Sequence, residues 1–103
     1  MLTRPAELNL SNWRQPGNNR WAFHHVREII PTEGIARGNR VSELAKSITG
    51  GVEAVKVAGP GGADWSLQRW LEESNSDALL VAHRGELVHE WYIDADIETS
   101  PHI

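Results

Sequence analysis

Apolar residues are spaced differently in successive parts of the chain. Over residues 19–30, Trp21, Ala22, His25, Val26 and Ile29 recur at steps of three and four, the stripe of an amphipathic helix. Asn18 or Asn19 stands where a short side-chain oxygen can cap the first turn. Pro31 ends the segment, because the residue before a proline avoids the α region. A second helix is expected over 65–74. Asp64 is its N-cap, Leu67, Trp70 and Leu71 form the apolar face, and Glu72 and Glu73 face water. Then the period changes. Residues 78–83 are nearly all apolar, 87–93 mix polar and apolar, and Arg84-Gly85 lies between them. Glycine supplies the positive φ of a tight turn, so an antiparallel hairpin is expected over 78–93. The first strand should be covered on both faces and the second should keep one wetter face.

The rest is less regular. Residues 1–18 are polar and broken by Pro5, Pro16 and Gly17, which predicts an extended arm anchored by Trp13. Residues 32–63 are punctuated by Gly34, Gly38, Gly50, Gly51, Gly59, Pro60, Gly61 and Gly62. They read as an irregular connection with one helical turn and one short strand. So long a connection is uncommon in a compact domain and suggests wrapping on something larger, or mobility. The organisation expected is thus an arm (1–18), a leader helix with an irregular connection (19–63), and a helix with a hairpin (64–103).

Composition narrows the function. The 103 residues allow one modest domain. With 14 acidic against 10 basic side chains, the chain lacks the basic surplus of a nucleic-acid binder. Trp13, Arg14, Arg20, Trp21 and Arg27 interleave rings and cations, but against net acidity they do not make that footprint. There is no cysteine, so disulfides, thiolate metal sites and a thiol nucleophile are excluded. No apolar run reaches membrane-spanning length, and the first residues have no apolar signal core. A cytoplasmic protein is expected.

The segment WAFHHVRE raises the question of chemistry. His24 and His25 are adjacent, so on a helix they point about 100° apart and one ion does not readily take both. Glu28 lies at i+4 and i+3 from them, but two ligands do not close a zinc site. The expectation is His25 packed under the helix and His24 half exposed, with no metal and no cofactor. GPGGAD and KSITGG both lack the lysine placement of a phosphate loop and read as turns. His83-Arg84-Gly85 imitates a short hydrolase motif but falls in the hairpin turn.

The runs Asn12-Trp13 with Pro16, then Asn19-Arg20-Trp21-Ala22-Phe23 with a following histidine, resemble the leader of serine hydrolases of the β-lactamase and penicillin-binding superfamily. The nearest likeness is to the branch of 6-aminohexanoate-dimer hydrolases and related esterases. Residues 67–103 resemble that branch's first helix and opening hairpin; residues 40–63 match nothing in it. The resemblance implies an α+β chain that is the incomplete N-terminal part of a β-lactamase-like fold. It implies a structural role for WAFHHVRE. It also implies that the S-x-x-K nucleophile and base lie just beyond the segment ETSPHI.

None of that machinery is present. The lysines are Lys46 and Lys56, and three residues before them stand Glu43 and Glu53, so there is no S-x-x-K. Tyr92 sits within a strand, K-T-G is missing, and the serines (Ser11, Ser42, Ser47, Ser66, Ser74, Ser76, Ser100) have no base at motif spacing. No residue is therefore assigned to catalysis, cofactor or metal. The expected partner is the C-terminal part of the parent hydrolase, or a second copy, with no nucleic acid and no membrane. The alternative is a free-standing binding or regulatory module that kept this segment.

Overall fold

Asparagines fold the N-terminal segment in the computed structural model, which describes residues 3–102. The Asn12 side chain accepts from the Asn9 amide (2.9 Å) and the Asn9 side chain accepts from the Ser11 amide (2.8 Å). Such side chains replace backbone partners and stabilise turns. The expected extended arm is accordingly a turned one, and it buries Leu8 against Trp21 and Ala22. Trp13 anchors it as expected, with its ring edge-on to Phe23 at 5.9 Å.

The first helix is much shorter than its hydrophobic stripe. α1 spans Asn18–Ala22, and a separate 3₁₀ turn spans Val26–Glu28. His25 causes the break. Its Nδ1 lies 2.7 Å from the Trp21 carbonyl, the acceptor that its own amide would use in a continuing helix. The His25 amide turns to Ala22 instead (3.0 Å), and its backbone leaves the helical region at φ −132°, ψ 29°. The ring then stacks on Trp21, 4.1 Å away and nearly parallel. Neither asparagine caps α1; Gly17, at φ 88°, holds the N-cap position without a side-chain bond.

After a run of exposed residues, β1 (Ala45–Lys46) lies parallel to a later strand. A 3₁₀ turn (Val52–Ala54), β2 (Lys56–Ala58) and a second turn (Pro60–Gly62) follow. β2 pairs antiparallel with β3 (Asp64–Ser66). β3 runs directly into α2 (Leu67–Glu73), so Ser66 rather than Asp64 is the N-cap, its Oγ accepting from the Arg69 amide. The turn Gly59 N–H to Ala63 carbonyl (2.7 Å) lets Trp65 fold back over Gly59. Leu71 is buried, whereas Trp70, expected on the apolar face, is exposed.

The hairpin is present: β4 (Ala78–His83) pairs antiparallel with β5 (Glu86–Tyr92). Its two-residue turn has positive φ at both Arg84 (52°) and Gly85 (80°), the turn whose twist suits a hairpin. One extra residue on β5 shifts the register between Val81 and Ala82. The three-stranded sheet has the order β1-β5-β4. Leu87 and His89 are buried, but Leu80 is 52% exposed. The expected cover on both faces of β4 is thus missing among the described residues.

The chain is open. Its radius of gyration is 16.4 Å, where a compact domain of this length has about 13 Å. Its accessible surface is 7821 Å², against roughly 5,800 Å² for a compact monomer of this mass. Ile35, Val41, Leu44, Ile48 and Val55 are all exposed. No helix among the described residues is long and apolar enough to cross a membrane.

Candidate functional site

Three distant segments meet around His24. Arg20 begins the assembly: its guanidinium donates to Asn75 Oδ1 (3.0 Å) and to the Glu72 carbonyl (2.8 Å), docking α1 on the end of α2. That end is shaped by Asn75, which takes the left-handed conformation (φ 56°). The Ser76 amide reaches back to the Leu71 carbonyl (2.9 Å) and the Asn75 amide to that of Glu72 (3.1 Å). This paired closure is one of the two ways an αL residue satisfies the last carbonyls of a helix. It reverses the chain and sets Asp77 beside His24, just before β4.

His24 Nε2 lies 2.9 Å from Asp77 Oδ2, and His102 Nε2 lies 3.2 Å from the same oxygen. On its other side, His24 Nδ1 lies 2.9 Å from the Pro101 carbonyl and 2.8 Å from Ser100 Oγ. The side chain of His24 is 3% exposed and that of Asp77 12%, so their contact is screened from water, while His102 is half exposed. The His24 and His102 rings meet edge to face at 4.6 Å. The expected burial of the histidine pair is therefore reversed. His24 is enclosed, and His25 is only partly covered.

Ser100, His24 and Asp77 follow the order of a nucleophile, base and orienting acid. The Pro101 carbonyl competes with Ser100 for the same nitrogen: it only accepts, so its 2.9 Å contact is a hydrogen bond only when His24 Nδ1 carries a proton, and in that state Nδ1 takes none from Ser100.

His24 was singled out in the sequence; Asp77 and His102 were not. They lie 53 and 78 positions away, and no spacing rule reaches that far. His25 and Glu28 do not join the cluster, and His83 and His89 lie elsewhere, on β4 and β5. A cavity of about 500 Å³ adjoins the cluster, lined in part by Asn19, Phe23, His24, Asp77 and His102.

No protein-family model matches the chain. Over 87 residues, 84% of its length, it is 29% identical to the 6-aminohexanoate-dimer hydrolase of Paenarthrobacter ureafaciens. That stretch is 20% of the relative, so the chain spans about a fifth of its length. A solved structure from Bacillus anthracis that carries the same enzyme name superposes with a TM-score of 0.77 at 22% identity. The superposition covers 98% of this chain and 26% of that one. The similarity to a segment of 6-aminohexanoate-dimer hydrolases agrees with the resemblance read from the leader and hairpin.

Proposed function

We propose that the chain is the N-terminal structural portion of a β-lactamase-like serine hydrolase of amides or esters, and that it is not catalytic by itself. One observation carries this reading. Nearly all of the chain is matched by its relatives, while it accounts for only a fifth to a quarter of them. The open edge of β4, the exposed Leu80 and the large radius of gyration fit a piece whose sheet continues in another segment. Its partner is then the remainder of the parent hydrolase.

Acyl transfer needs an activated hydroxyl, a base and donors for the oxyanion. The chain has no S-x-x-K, and its best-placed serine, Ser100, shares His24 Nδ1 with the Pro101 carbonyl. Loss of a serine nucleophile alone costs about 10⁶ in turnover. The test compares this chain with the same chain expressed together with the coding region that follows it. Both are given a chromogenic short-chain ester and a serine-directed phosphonate. Turnover and labelling are expected only in the second. Stoichiometric labelling of the chain alone, at Ser100 or elsewhere, overturns the reading.

A further inference from the structure

We propose that His24, Asp77 and His102 bind a divalent transition metal of the zinc class. Three independent features of the cluster point to a cation. First, both ring nitrogens of His24 face oxygens that only accept: the Pro101 carbonyl lies 2.9 Å from Nδ1 and Asp77 Oδ2 lies 2.9 Å from Nε2. With Nδ1 donating to the carbonyl, a positive centre, either a second proton or a metal ion, belongs between Nε2 and the carboxylate. Ligating histidines commonly hold their second nitrogen in this way, by donating to a backbone carbonyl. Second, the one-atom-per-residue ligand set lies within 4.8 Å of itself. The two contacts to Asp77, 2.9 and 3.2 Å, approach the edge of about 3.3 Å in a tetrahedron with bonds near 2.0–2.1 Å.

Third, two buried side-chain oxygens have no hydrogen-bond partner among the described residues: Asp77 Oδ1 and Asn19 Oδ1. Both residues line the same cavity beside His24 and His102. A buried oxygen without a donor keeps the cost of its desolvation uncompensated, so two on one cavity call for a common explanation. Three protein ligands leave the fourth tetrahedral position open toward that cavity, and a metal-bound water there is a donor that both oxygens lack. Two nitrogens and one carboxylate are a donor set suited to zinc and not to calcium or magnesium, which take oxygen ligands. The site ties the leader to the segments on either side of the hairpin, and it stands independently of any hydrolase activity.

The experiment is a titration of the full chain with zinc by calorimetry, and with cobalt by visible absorption, while circular dichroism follows the fold. One zinc per chain is expected, with a tetrahedral cobalt spectrum. His102→Gln, at a half-exposed side chain that tolerates change, should weaken binding at least about tenfold without altering the dichroism. Asp77→Asn should do the same or more. A chain that is unfolded without metal and gains its dichroism with zinc also supports the site. A folded chain that takes no zinc overturns it, as does binding that neither variant weakens. So does a chain that stays unfolded at millimolar zinc, because a ligand of the folded form alone must draw the equilibrium toward it. Histidine resonances of residues 24 and 102 that respond to pH but not to zinc assign the cluster to protons only, and overturn the proposal.

Discussion

At the scale of single residues, the chain's polar contacts are decided by what a side chain meets across the sequence. On the outer face of the hairpin, Glu90 accepts from Tyr92 Oη (2.6 Å) and pairs with Lys46 Nζ (2.9 Å). The bond to Glu90, with some burial, pushes the Tyr92 phenol up to about 12 from its usual 10.0. In return, the Tyr92 hydroxyl and then the Lys46 ammonium hold the Glu90 carboxyl below its usual range. Lys46 is raised by the same partner. The signs follow. Tyr92 and Lys46 favour the fold below their unfolded values, and that support is lost as pH rises through the folded ones. Glu90 favours it above its unfolded value, and that support is lost as pH falls through the lowered one. Tyr92 is the only tyrosine, so absorbance near the tyrosinate band reads it alone. A midpoint near 12 is expected, returning toward 10 in Glu90→Gln. An unshifted midpoint in the native chain would rule the bond out.

Elements are where pattern reading succeeded and failed for definite reasons. The hairpin was legible because alternation and a glycine turn are local signals, and α2 because Leu67 and Leu71 keep a helical spacing, although it starts later than expected, behind a Ser66 cap, and leaves Trp70 exposed. α1 was overestimated because the stripe of Trp21, His25 and Ile29 ignores the His25 ring competing for the Trp21 carbonyl. The pairing of β1 with β5 joins Ala45 to Glu86 across the sequence and has no local trace. The same holds for the candidate site, of which only His24 was visible. Partnership with Asp77 and His102 depends on the αL bend at Asn75, which a single asparagine does not announce. The β2–β3 clasp yields a sharp test. A Cβ at Gly59 would stand 2.7 Å from Trp65 Cε2 and Nε1, inside any real contact. Trp65 also lies under the Arg69 guanidinium at 4.5 Å, so the indole cannot shift without losing that contact. Gly59→Ala is therefore expected to destabilise the chain by about 1–3 kcal/mol, read from the urea midpoint. The backbone there is ordinary (φ −94°), so an unchanged midpoint would mean that the indole does not sit as described.

As a whole molecule, the chain leaves apolar surface uncovered that a stable monomer would hide. Leu80, Ile48 and Val55 are exposed, and the outer edge of β4 carries no strand among the described residues. Unpaired edges with apolar faces recruit further strands. Purified alone, the chain should associate as its concentration rises, and Leu80→Lys should shift light scattering back toward the monomer. A monodisperse monomer at all concentrations would argue that the surface is tolerated. The contacts that fasten the leader run from Arg20 to Asn75 and from His24 to Asp77, Ser100 and Pro101. They span more than 50 residues, so their closure is entropically costly and late. On a ribosome this sets the order of events: the first residues to leave the tunnel are the last to find their place. Nascent chains stalled with only residues before 70 emerged should remain open to trypsin at Arg20, protection should begin once residue 77 is outside, and it should be complete only once residues 100 and 101 have followed.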